Sequence, residues 1–231
     1  MKTKVLMSFL GSVPVVLGIF SSCVSTLKDK GISVIHEMPE TDLYSADIQI
    51  PVFDNQEGLN KLISVQCDKW FQEFLEEVQM NEQLFSKKSN ISQNEFYIDW
   101  QLEYDSSDYI SLLLSSYSYN GGANGMNQLA SFTWNKKEQQ LVYLQEILPQ
   151  IAKPPVLETV AKMCRNQLKK QMQLPKNDAF LENLLLSGSA PNPNNYKVFT
   201  MTSEGINFYF EQYQVAPGSY GVQKVFIPYL K

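Results

Sequence analysis

An α+β fold, with helices packed on a mostly antiparallel sheet, is what this chain of 231 residues predicts. Three observations point there. Apolar residues recur at three- and four-residue steps in two long stretches, the period of an amphipathic helix. Elsewhere they alternate at every second residue, as in half-buried strands. Short polar turns join most of those strands, so hairpins are the common connection.

The elements follow from the N-terminus. Lys2 and Lys4 precede an apolar run from Val5 to Phe20, and Ser21-Ser22-Cys23 closes it. A basic start, an apolar centre and small residues at a cut are the layout of a secretory signal. The run holds Pro14 and is shorter than the ~20 residues a spanning helix needs. Lipoprotein processing requires a cysteine at the cut, because its thiol accepts the lipid before the signal is removed. The segment resembles a bacterial lipoprotein signal, with Phe20 standing where such signals usually have Leu, Val or Ile. Residues 1–22 are expected to be the signal peptide, Cys23 the lipidated residue, 23–43 a tether, and 44–231 a single extracytoplasmic domain. Acyl chains contribute ~0.8 kcal/mol per buried methylene, so two or three of them would hold the protein to a membrane almost permanently.

Tyr44 to Pro51 alternates and is rich in β-formers, so it reads as the first strand. Leu59, Ile63, Cys67, Trp70, Phe74 and Val78 then mark one face of the clearest helix, with Asp54 and Glu57 offering a capping box. Its other face, from Lys61 to Glu77, is a solvated one. Phe96 to Tyr104 and Tyr109 to Tyr119 form a hairpin with one buried face, turned at Asp105–Asp108. Asn120-Gly121-Gly122-Ala123-Asn124-Gly125 breaks it. Ser131–Trp134 resumes as strand, and Leu141–Leu144 follows a polar turn. Leu157, Val160, Cys164, Leu168 and Met172 mark a second helix after Pro154-Pro155, and Asp178–Leu186 a short third. Three aromatic-rich strands end the chain: Tyr196–Thr202, Ile206–Tyr213 and Val222–Tyr229.

Charge and composition exclude several classes. Removing residues 1–22 takes Lys2 and Lys4 and leaves 17 basic against 24 acidic side chains, a balance of −7. With no basic stripe, nucleic acid is excluded as a partner, and a mild preference for cationic partners is permitted. Cys67 and Cys164 leave two readings: a structural disulfide, which an envelope compartment allows, or two buried thiols on helix faces. No metal-binding spacing, cofactor motif or Gly-rich phosphate loop occurs. A histidine-based triad needs its base beside the nucleophile, and the single histidine, His36, falls in the expected tether. What enzyme chemistry remains is a carboxylate pair drawn from Asp99, Glu103, Asp105, Asp108 and Glu211, as in glycan cleavage.

Two segments carry a resemblance. One is Tyr117-Ser-Tyr-Asn-Gly-Gly-Ala-Asn-Gly-Met126 with Ser131–Trp134 and Leu144–Leu148. The other is Thr202–Gly221 with Val225–Tyr229. In this order they resemble the extracytoplasmic domain of RsiV-type lysozyme-sensing anti-sigma factors and of the N-terminal region of PdaC-type peptidoglycan deacetylases, over roughly Tyr44 to Lys231. That domain's loop usually reads Gly-Gly-Ala-His-Gly, and here Asn124 replaces the histidine. The resemblance implies a binding or sensing module on the envelope, its partner a cationic lysozyme-like muramidase or cell-wall glycan. A carboxylate-dependent hydrolase and a purely structural lipoprotein are the alternatives. Nine of the 36 residues from Tyr196 onward are aromatic, and tyrosine is a favoured interface residue. The candidate binding residues are therefore Tyr117, Tyr119, Gly121, Gly122, Asn124, Tyr213, Pro217 and Tyr220, with the two loops expected to lie near one another. Gly121-Gly122 serves equally as a tight turn.

Overall fold

The computed structural model describes residues 22–27, 31–84, 94–122, 124–175 and 178–231, with the backbone alone given for 22–27 and Leu84. Residues 1–21, most of the expected signal peptide, lie outside them. The fold is α+β. Among the described residues, seven strands form one sheet in sequence order: β1 (Ser22–Leu27), β2 (Ile32–Glu37), β3 (Tyr44–Phe53), β4 (Asn94–Asp105), β5 (Tyr109–Tyr119), β6 (Met126–Asn135) and β7 (Gln140–Leu141). Neighbours are antiparallel except β3 and β4, which run parallel because α1 (Glu57–Leu84) crosses over between them.

α1 lies on one face of this sheet. Leu59, Ile63, Cys67, Trp70, Phe74 and Val78 meet Ala46, Ile48 and Ile50 of β3, Phe96 and Ile98 of β4, and Ile110, Leu112 and Leu114 of β5. Alternation explains the strand members, and the three- and four-residue steps explain the helix. The helix begins where the Gln56 carbonyl accepts from Asn60 N, so the Asp54 capping box does not form. Trp134 of β6 locks the helix start: its Nε1 donates to Gln56 Oε1 at 2.8 Å, and its ring packs on Gly58.

A second core forms from α2 (Leu144–Ile151), α3 (Val156–Met172), α4 (Ala179–Gly188) and a three-stranded sheet, β8 (Phe199–Met201), β9 (Gly205–Phe210) and β10 (Gln223–Pro228), ordered β10-β9-β8. Tyr196, Phe208 and Phe210 are fully buried there, with the Tyr196 ring edge-on to both phenylalanines. β8 docks on the first sheet through its outward amides. Phe199 N donates to Ser131 Oγ at 2.9 Å and Met201 N to Ser111 Oγ at 2.8 Å, while Ser111 and Thr133 share a bond at 2.9 Å. Ser111 of β5 and Ser131 of β6 are thus the acceptors that let a strand edge be buried.

Four expectations need correction. The segment read as a tether supplies β1 and β2, whose pairing runs from Ser22↔Glu37 to Leu27↔Ile32; each is only six residues, too short to show a period. The Tyr44 strand is accordingly the third and not the first. The strand expected over Leu141–Leu144 shrinks to Gln140–Leu141 before α2 starts at Leu144, with Glu146 Oε1 accepting from Tyr143 N at 2.6 Å. Cys67 sits in the first core and Cys164 in the second, so the disulfide alternative fails and both thiols are free and buried. Burial pushes both up to about 12, with Asp68 adding to the effect at Cys67.

Candidate binding surface

Opposite α1, the large sheet turns its other set of alternate side chains outward. β8 covers the end near Ser111 and Thr133. Toward the ends where β4 begins and β5 finishes, the face is open, and register draws one row across it: Asp47↔Tyr97, Tyr97↔Tyr117 and Tyr117↔Asn127. The Tyr97 and Tyr117 rings lie 6.0 Å apart, tilted at 45°. Tyr97 is 42% exposed. Its hydroxyl donates to Glu95 Oε2 at 3.3 Å. Partial desolvation, then Glu95 and Asp47, raise its phenol above the ordinary range. Asp99 and Gln101 continue the face as exposed residues.

His36 belongs to this face and not to a tether. It lies in β2 and bonds Asp47 through Nε2 at 2.7 Å, both side chains about one-third exposed. The folded part therefore contains a histidine, contrary to expectation.

The two loops are connected. Gln212 follows β9, and its Oε1 accepts from Asn127 N at 3.4 Å and Asn127 Nδ2 at 3.3 Å. Its Nε2 donates to Gly218 O at 3.2 Å. One glutamine thus links the strand that leaves the 120–125 loop to the 217–221 loop. Each loop is also pinned by a tyrosine on a glycine: a Cβ at Gly125 would overlap the Tyr117 ring, and one at Gly218 the Tyr213 ring. Gly121, Gly122 and Asn124 are exposed, as is Tyr213, which adopts φ of 69°. Tyr119 and Pro217 are half-buried, and Asn120 ties the loop to α1 by donating to Glu77. Tyr220 is half-buried, packed against the second core. Sequence reasoning missed Tyr97, Asp47, Asn127 and Gln212. The parallel β3–β4 pairing that aligns Asp47 with Tyr97 has no local sequence signal.

Of the carboxylates considered for catalysis, Glu103 occupies a bulge in β4, between Leu102 and Tyr104. Bulges re-aim side chains, and this one sends a nearly buried carboxylate into the seam between the sheets. Glu103 Oε1 accepts from Tyr209 Oη at 2.7 Å and Lys224 Nζ at 3.1 Å, and Oε2 accepts from Asn207 Nδ2 at 3.3 Å. Burial and the Glu103 bond push the Tyr209 phenol up, while Thr200 and Lys224 oppose that. Asp99 accepts from Trp100 N at 2.7 Å, and Asp105 pairs with Lys136 at 2.5 Å. Among the described residues, no three His, Cys, Asp or Glu side chains gather as metal ligands would.

Comparison with known proteins fits this two-part construction. Residues 38–127 match the family model "Deacetylase PdaC", and residues 133–230 match "Protein of unknown function (DUF3298)". The two matched segments lie one after the other along the chain, with residues 128–132 between them. It is 26% identical over 180 residues to the peptidoglycan-N-acetylmuramic acid deacetylase PdaC of Bacillus subtilis, a match covering 78% of this chain and 36% of that protein. The matched stretch is thus about a third of the deacetylase's length. Two solved structures share the fold. A DUF3298 family member from Bacteroides fragilis aligns with TM-score 0.60 at 16% identity, over 91% of both chains. A DUF3298 protein from Pseudomonas aeruginosa aligns with TM-score 0.56 at 15% identity, over 91% of this chain and 90% of that one. The boundary between the two segments falls inside β6, and Trp134 of the DUF3298 segment closes the core of the PdaC segment. The row Asp47–Tyr97–Tyr117 belongs to the PdaC segment, and Gln212 reaches it from the DUF3298 segment.

Proposed function

We propose that this chain is an extracytoplasmic module, anchored at Cys23 to the cell envelope, that binds a partner on the open face of its large sheet. The observation that carries this reading is the Tyr97–Tyr117 ring pair, with Tyr97 exposed and Tyr117 half-buried under Gly125, flanked by Glu95, Asp47 and Asp99. Aromatic rings on a rigid sheet offer contact area with little ordering cost, and loops on such a scaffold are common sites of recognition. The surrounding carboxylates favour a cationic partner, of which a muramidase is one kind. Cell-wall glycan is the second ligand class, supported by the similarity to a peptidoglycan deacetylase of Bacillus subtilis.

Binding without turnover is the better reading of the carboxylates. Glu103 is already shared among Tyr209, Lys224 and Asn207, which speaks against its serving with Asp99 as a hydrolytic pair. The His36–Asp47 pair keeps an acid–base group on the open face, so the test includes turnover. Full-length protein in detergent is titrated with a cationic muramidase and, separately, with soluble peptidoglycan fragments. One of the two should bind, and release of sugars or acetate should stay at background. Turnover lost in His36→Ala or Glu103→Gln would replace the binding reading with an enzymatic one.

A further inference from the structure

One end of the large sheet gathers exposed apolar side chains. β1, β3, β4 and β6 start at this end, β2 and β5 finish there, and α1 reaches it with its C-terminal turns. The Asn120–Glu77 bond places α1 relative to the strands. Met38 (55% exposed) and Leu43 (39%) lie in the β2–β3 connection, Met80 (60%) on the last turns of α1, and Met126 (48%) at the start of β6. Three unbranched methionines and a leucine, from three separate elements, share this end. The opposite end, around the Lys136–Gln139 turn, is polar.

The chain enters the fold at the same end. Cys23 is the second residue of β1 and pairs with His36, so no spacer separates it from the sheet. The apolar run Val5–Phe20 ends three residues before it in sequence, at Phe20. Whatever holds this N-terminus to a membrane therefore holds the rim of the sheet against it as well.

We infer that the rim formed by Met38, Leu43, Met80 and Met126 rests on the lipid surface, orienting the domain with the sheet strands upright on the bilayer. This rests on the anchoring reading proposed above. Side chains without charge can enter the boundary between headgroups and acyl chains, and flexible methionines adapt to an irregular surface. Glu37, Glu40, Asp42 and Glu77 are close to the rim residues in sequence, so the contact gains nothing from anionic lipid, which these carboxylates repel. The 120–125 loop sits at this end too. A partner that engages it meets the domain at the bilayer surface, while the Tyr97–Tyr117 row lies a little further out on the flat of the sheet.

Site-directed labels on the full-length protein test this. Met80→Cys, Met126→Cys, Lys137→Cys and Phe180→Cys variants carry an environment-sensitive fluorophore; native Cys67 and Cys164 are buried and stay unlabelled. Each variant is incorporated into phosphatidylcholine vesicles containing lipid with a nitroxide high on the acyl chain. Labels at 80 and 126 should lose about half or more of their emission, as shallow insertion of ~5–10 Å requires. The label at 137, roughly 30 Å away along β6, should be unaffected, and so should the one at 180. Equal quenching at all positions, quenching at 180 alone, or none at any position while the protein floats with the vesicles would overturn the rim contact and leave anchoring intact. Failure to float at all would overturn both.

Discussion

The two faces of the large sheet are cut from the same strands yet meet different fates. On the α1 side, Phe96, Ile98, Leu112 and Leu114 are almost fully buried and face Phe74, Ile63 and Leu59. On the other side, Tyr97, Asp99, Ser115 and Tyr117 occupy the alternate positions, and only part of the face is covered, where β8 lands on Ser111 and Ser131. Period-two alternation lets adjacent residues serve stability and recognition separately. A substitution can therefore strike one without the other, and that is how the contrast can be broken.

The largest effect should come from the sealed face. Phe74→Ala removes a ring stacked on Phe96 at 4.9 Å, and should destabilise by ~3–5 kcal/mol, read as a lower midpoint in urea unfolding. A loss well under that would mean α1 is not the principal cover of this face. Next is the seam. Glu103→Ala leaves the Tyr209 hydroxyl and Asn207 amide only their longer contacts to Thr200 Oγ1, each 3.4 Å, and should cost about 2 kcal/mol, the scale for hydrogen bonds to a charged group. Glu103→Gln, which keeps an acceptor, should cost less; equal losses would show that the carboxylate charge matters more than the bonds.

The thiols give a pH prediction. Both have pKa values raised from 9.0 to about 12 by burial. A group raised in the folded state contributes stability that is fully present below its unfolded value and is lost as pH climbs through the folded one. Stability should therefore fall between pH 9 and about 12. Cys67→Ala with Cys164→Ala should flatten that part of the curve. The same thiols should resist a thiol reagent at pH 8 until denaturant is added. A smaller effect belongs to Gln212→Ala, which cuts the tie between Asn127 and Gly218. It should cost about 1 kcal/mol of stability while weakening any partner that needs both loops. Unchanged binding would mean the loops act independently.

The sealed face was legible in the sequence because its signals are local. The helical steps from Leu59 to Val78 and the alternation through Phe96–Tyr104 need no knowledge of partners. The hairpins at Asp105–Asp108 and through the final strands were equally readable. β1 and β2 were not: each is six residues long, with polar and apolar residues mixed. α2 was hidden by its start at Leu144 directly after a β-rich run and by Pro149 inside it. For the open face, the tyrosines and loop glycines could be picked out by composition and resemblance. Their assembly could not, since it depends on a parallel register set by the α1 crossover and on Gln212 reaching 85 residues back to Asn127. Long-range pairing of that kind leaves no periodic trace.

Tyr97→Ala tests most directly whether the open face of the sheet recognises a partner. Tyr97 is exposed, outside both cores, and paired in ring contact with Tyr117 alone among the described aromatic contacts. Binding of the ligand found in the titration and thermal unfolding should be measured on the same preparation. The account predicts a loss of ~2 kcal/mol or more in binding, about thirtyfold in Kd, with a melting temperature nearly unchanged. Full affinity in Tyr97→Ala, or a loss matched by an equal fall in stability, would contradict it.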